Sequence, residues 1–134
     1  MTTDTNPLWH PNNWPPADWE ENLQTCTELH ADVARRQDLT YYSWITDRLP
    51  HNMDPHSPAF AQLLGDMSTR EHAEERPLLS CLCIYKGGND PGPGFWAISH
   101  HLGLIGSPSG LTPLDKDRFW SQMVGRCHEY WRRR

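Results

Sequence analysis

The chain has 134 residues and is 37% hydrophobic, with seven Trp and twelve Pro, so its apolar content sits in a few bulky side chains; this predicts one compact, loop-rich domain and leaves little room for a second. No apolar run approaches the ~20 residues that span a bilayer, and the opening MTTDTNPLWHPNNWPP lacks the basic flank and apolar centre of a signal peptide, which excludes a membrane span and predicts a cytosolic protein. The net charge of −5 is uneven: residues 1–76 carry 13 acidic against 5 basic side chains and residues 77–134 carry 4 against 7, an asymmetry that opposes broad nucleic-acid affinity and suits a basic partner.

Residues 1–16 hold four Pro, three Asn and two Trp without periodicity and are expected to form an extended arm, with residues 17–134 as the single domain. From Asp18 onward Trp19, Leu23, Cys26, Leu29 or His30, and Val33 recur at three and four residues, which predicts a helix ending near Arg36. Thr40 is the expected cap of a short second helix through YYSWITDRL, with Trp44, Ile45 and Leu49 facing inward and Pro50 ending it. Ser57-Pro58 is a cap followed by a first-turn proline, and Phe60, Leu63, Leu64 and Met67 form the apolar stripe of a third helix running to about Glu75. The apolar run PLLSCLCIY reads as a strand buried on both faces. A glycine- and proline-rich stretch, KGGNDPGPGFW, follows it. GFWAISHHLG predicts a short helix closed by Gly103, and Thr112-Pro113 opens a last helix in which Phe119, Trp120, Met123, Cys127, Tyr130 and Trp131 keep helical spacing. The predicted fold class is therefore α+β, mainly helical, with a short sheet and a C-terminal helix.

Four cysteines, Cys26, Cys81, Cys83 and Cys127, are too few for a secreted disulfide framework and are expected as buried thiols. On a strand, Cys81 and Cys83 share a face and with His100-His101 or Cys127-His128 suggest zinc, yet this spacing is not that of structural zinc pairs, and packed thiols are the expected reading; no metal or other cofactor is predicted. No His, Lys or Arg lies within residues 79–85 to activate a thiolate, so no catalytic residue is assigned and the chain is read as a non-enzyme. Lys86 precedes its glycines, the reverse of a phosphate loop. Phe95 and Trp96 have two readings: anchors on an exposed binding edge, or rings that close the core behind a turn.

The order of these elements resembles the winged-helix domain of alkylguanine DNA alkyltransferases and alkyltransferase-like proteins over about residues 29–96. LTYYSWI is similar to the start of their helix-turn-helix, SPAFAQLLGDM to their recognition helix, RPLLSCLCIYK to their Pro-Cys-His-Arg strand and GGNDPGPGFW to their wing. The chain also resembles small bacterial and phage-type proteins with a Pro-Leu-Leu strand followed by a Pro-Gly-x-Gly-Phe turn. The first resemblance implies a winged-helix scaffold without alkyl transfer, because Leu82 stands where the family has the histidine that activates its cysteine, and no arginine near Phe60 can fill the gap left by a flipped base. The recognition-like helix carries Asp66, Glu71, Glu74 and Glu75 against Arg70 alone, the wrong sign for a duplex. The expected function is thus a non-catalytic protein-interaction module, an accessory subunit or a small inhibitor or immunity-type protein with a basic partner; the alternative is a winged-helix DNA-binding regulator. The candidate binding residues are Lys86, Asn89, Asp90, Phe95, Trp96, Arg70 and Arg48.

Overall fold

The computed structural model describes residues 14–88 and 90–134. The long helix α1, Pro16–Arg35, begins with proline at its first position, where no amide donor is required, and carries Asp18 in its first turn and Arg35 in its last. Trp19, Leu23, Cys26, His30 and Val33 form its buried stripe, and the Trp19 indole N–H donates to Asp66 Oδ2 at 3.0 Å, tying it to α3 (Pro58–Ala73). The helix ends on Gln37 with φ near 60°, a left-handed cap usually left to glycine. The Gln37 amide side chain donates to the carbonyls of Ala34 and His128 at 2.9 and 3.0 Å, so one residue closes α1 and ties it to the end of α5 (Pro113–Trp131).

Thr40 does not cap the second helix. It is buried in a two-residue strand β1, Thr40–Tyr41, which pairs in parallel with β2, Cys83–Ile84, in the register Thr40 with Cys83 and Tyr41 with Ile84. The short helix α2, Tyr42–Thr46, therefore starts on Tyr41 without a side-chain cap. Turns through Arg48 and Leu49 lead from it to Pro50. By contrast, Ser57 accepts from the Phe60 amide at 3.2 Å, and α3 begins there as expected. It ends two residues before Glu75, which takes a φ of 60°.

Residues 77–84 are all buried, as their apolar run demands, but they are not one strand. Leu79–Leu82 form a 3₁₀ turn before β2. Their backbone groups are satisfied by side chains rather than by a neighbouring strand: Ser80 N–H donates to Ser68 Oγ, Trp120 Nε1–H to the Cys81 carbonyl at 2.9 Å, and the Cys127 thiol to the Leu78 carbonyl at 3.4 Å. The turn also separates the two cysteines expected on one face. Cys81 Sγ lies 3.6 Å from Cys127 Sγ, whereas Cys83 feels the Cys26 thiol across the core.

Helix α4, Pro93–His101, is closed by Gly103 at a φ of 78°, with Leu104 N–H bonded back to the Ser99 carbonyl. In α5 the Thr112 hydroxyl accepts from the Asp115 amide while the Asp115 carboxylate accepts from the Thr112 amide, a complete capping box. The core lies between α1, α3, the 3₁₀ turn and α5, and Phe95, Trp96 and Phe119 extend it under α4. The chain is thus a mainly helical α+β protein with a two-stranded parallel sheet and a C-terminal helix. Among the described residues no helix is long and apolar enough to cross a membrane. Most of the expected N-terminal arm, residues 1–13, lies outside the described residues; Trp14 packs edge-on against Trp19 at 6.3 Å.

Candidate functional site

The turn leaving β2 is held by its own backbone and by two tyrosines. Tyr85 N–H bonds to the Asp90 carbonyl at 3.1 Å, Gly92 N–H to Asp90 Oδ1 at 3.1 Å, and the Tyr42 hydroxyl donates to the Pro91 carbonyl at 2.7 Å. Tyr42 stacks on Tyr85 with centroids 4.9 Å apart. Burial, and then the neighbouring Cys83, Tyr85 and Asp90, push the Tyr42 hydroxyl above its ordinary value, so it remains a donor. Gly92 has a φ of 86°, and a Cβ there would meet Tyr42 Oη at 2.7 Å and Tyr85 Oη at 3.0 Å; only glycine fits between the turn and the tyrosine pair.

This fixed turn forms one wall of an open cleft of about 390 Å³, a volume in the range of ordinary ligand sites. Asp90, Pro91 and Pro93 face Pro113, Lys116, Asp117 and Trp120 of α5, with Trp96 of α4 between them. Both indoles are fixed: Trp120 by its bond to the Cys81 carbonyl, Trp96 by its packing on Phe95 and Phe119 and by the Lys116 ammonium 5.5 Å from its ring centroid. The exposed large hydrophobic side chains among the described residues are Tyr41, Tyr85 and Leu114; Tyr41 and Tyr85 line a separate hollow with Lys86. The cleft lining thus combines two indoles and three prolines with the carboxylates of Asp90 and Asp117 and the ammonium of Lys116.

The structure distributes the sequence candidates unequally. Asp90 and Trp96 meet in this cleft, and Lys86 sits on the same turn with its ammonium 5.9 Å from the Tyr41 ring. Asn89 lies outside the described residues. Phe95 is 3% and Trp96 8% exposed, so the first closes the core outright and the second offers only an edge; neither is a protruding anchor. Arg70 and Arg48 are not part of the site. Both terminal nitrogens of Arg70 donate to the Glu20 carboxylate at 2.8 Å, and Arg48 stacks 3.7 Å over the Trp44 ring. Sequence reading missed Pro113, Lys116, Asp117 and Trp120. The signal for Trp120 was its position beside Phe119, which places one aromatic of the pair at the margin of a buried helical stripe.

Neither zinc grouping forms among the described residues: the His100 ring turns to the Ile105 carbonyl, and although Cys81 meets Cys127, the His128 ring turns to the Asp38 carbonyl. The ligand-like grouping among the described residues is Asp18, Glu21 and His51, where His51 Nε2 is 2.5 Å from Glu21 Oε1 and 3.6 Å from Asp18 Oδ1. Wholly buried Asn22 holds both the amide and the carbonyl of His51, so the cluster straps the loop before α3 onto α1. Burial pushes the Cys81 thiol well above its ordinary value, with Cys127 adding to it, and does the same to Cys83; neither is set up as a nucleophile. Comparison with protein-family models, curated protein sequences and solved structures returns no match.

Proposed function

We propose that the chain is a non-catalytic protein-interaction module, an accessory subunit or small inhibitor, that holds an extended segment of a basic partner in the cleft between residues 90–93 and α5. The observation carrying this reading is the pairing of two fixed indoles with three prolines along one cleft whose lining sets two carboxylates, Asp90 and Asp117, against one cation, Lys116. Rigid aromatic and proline surfaces lose little freedom on binding, and carboxylates at a rim select cationic side chains. The acidic first half of the chain adds long-range attraction for a basic partner. The non-catalytic character is supported by the burial of all four thiols. Probing an array of proline-containing peptides, with and without Arg, tests the reading: wild type should retain the Arg-containing members, and Asp117→Lys, a change on an exposed position, should release them. Equal retention by both proteins would remove the cleft from consideration.

A second reading, a DNA-binding protein on a winged-helix-like scaffold, draws on one arrangement. The ends of α1 and α5 bring Arg35 over the Trp131 ring at 5.1 Å and Arg134 over Tyr130 at 3.9 Å, and Arg76 after α3 interacts with Tyr130. Interleaved Arg and aromatic groups suit phosphates and bases. This reading ranks second because Asp32, Glu71 and Glu129 pair with Arg35 and Arg36, Arg76 and Arg132 in the same region. Duplex affinity weaker than about 10⁻⁴ M at low salt would rule it out.

A further inference from the structure

Cys81 and Cys127 lie 46 residues apart in sequence, on the 3₁₀ turn and on α5, yet their sulfurs are 3.6 Å apart and both residues are 0% exposed. Each is fixed from a second direction. The Cys127 thiol donates to the Leu78 carbonyl, and the Cys81 carbonyl accepts from the Trp120 indole about two turns earlier on α5. A disulfide needs the sulfurs about 1.5 Å closer, at about 2.05 Å, a displacement within reach of side-chain rotation. The other two cysteines are placed differently: Cys26 packs on the His30 ring and on Met67 Sδ at 3.9 Å, and Cys83 lies in β2.

We propose that Cys81 and Cys127 form an oxidisable dithiol, a modification site at which a disulfide-type oxidant inserts a covalent tie between α5 and the core. Access comes through α5. The helix is 19 residues long, but its fully buried side chains are Met123 and Cys127 alone, so it is held by fewer buried groups than α1 or α3 and its undocking uncovers both thiols together. In that state the thiolate of one cysteine attacks glutathione disulfide, forming a mixed disulfide and releasing one glutathione thiolate. The second cysteine's thiolate then attacks the protein sulfur of the mixed disulfide and expels the other glutathione. Two thiol hydrogens leave the protein as the protons of two glutathione thiols, and the oxidant takes both electrons. Redocking then finds the pair already joined. The link also fixes the helix that supplies Pro113, Lys116, Asp117 and Trp120, so oxidation stabilises one wall of the cleft.

The experiment uses the full chain, purified reduced and then incubated with glutathione disulfide at mildly alkaline pH. The expected product has an intact mass lower by two hydrogen atoms, a peptide map joining the segments of Cys81 and Cys127, and free thiols at Cys26 and Cys83. Closing a long loop should raise Tm by about 5–15 °C relative to the reduced protein, reversibly on reduction. Cys127→Ala should form no internal link, and its own Tm, whatever the cavity costs, should be the same before and after the treatment. Glutathione adducts alone, a link between Cys26 and Cys83, or four free thiols after prolonged exposure would each overturn the proposal. The mass and the map read the modification directly, so their outcome is independent of whether the cleft binds a protein.

Discussion

Gly92 separates two effects that a glycine substitution usually confounds. Its φ of 86° is strained for any side chain, and its missing Cβ leaves the space taken by Tyr42 Oη at 2.7 Å and Tyr85 Oη at 3.0 Å. Gly87 has a similar φ of 84° but nothing within 4 Å of a Cβ, and Gly88 has neither feature. The three alanine variants therefore form a graded series within one turn. Gly88→Ala should change stability by less than about 0.5 kcal/mol, as exposed positions usually do. Gly87→Ala should cost about 1–2 kcal/mol from the left-handed backbone alone. Gly92→Ala adds the displacement of Tyr42, whose bond to the Pro91 carbonyl contributes about 1 kcal/mol, and disturbs the stacked pair, for a total of about 2–4 kcal/mol. Urea unfolding followed by tryptophan fluorescence measures all three, and the m-value should not change across the series. Equal costs for Gly87→Ala and Gly92→Ala would refute the claim that the tyrosine pair clamps this turn, because the contact would then carry no energy.

Phe95→Ala should cost about 3–5 kcal/mol, since the ring is buried against Trp96 and Phe119, whereas Lys86→Ala should leave the urea midpoint nearly unchanged. His30 makes the fold acid-sensitive. Its Nδ1–H donates to the Cys26 carbonyl at 2.8 Å, its Nε2 is buried without a partner among the described residues, and burial lowers its pKa from 6.5 to about 4. The unfolded chain therefore binds the extra proton first, so stability is full above about pH 7 and falls by on the order of 3 kcal/mol as pH drops to 4. His30→Asn keeps the donor to Cys26 and removes the titration. Its stability against pH, measured by urea midpoints, should be flatter than wild type over that interval, and parallel curves would contradict the assignment. Tyr42→Phe should cost about 1 kcal/mol through the lost bond to Pro91, with the loss absent in a Gly92→Ala background if that substitution has already broken the bond.

Where a structural decision is made by neighbours in sequence, the chain is readable. Ser57-Pro58 and Thr112-Pro113 carry their own caps, and the apolar spacing of α1 and α5 places Trp19, Leu23, Cys26, Met123 and Cys127 on the buried side without help from the rest of the fold. Thr40 offered the same kind of local signal and was overridden, because pairing with Cys83, 43 residues away, holds its backbone in a strand. The run from Pro77 to Ile84 shows a related limit. Continuous apolarity reports burial on every side, but whether the backbone extends or coils depends on partners such as Ser68, Trp120 and Cys127, none of them nearby in sequence. The cleft divides along the same line. Its turn could be found from glycines and prolines, while its second wall comes from α5, brought across by the docking of Met123 and Cys127.

Binding of a basic, extended protein segment in the proposed cleft is read out by peptide selection. A random dodecapeptide display library, panned in parallel on wild type and on Asp117→Lys, should return from wild type a set enriched in proline and arginine. Synthetic copies of those peptides should shift the indole N–H resonances of Trp96 and Trp120 and bind Asp117→Lys at least about tenfold more weakly, the loss of one rim ion pair of about 1.4 kcal/mol. Sets indistinguishable between the two proteins, or peptides that bind while leaving both indole resonances in place, would contradict it.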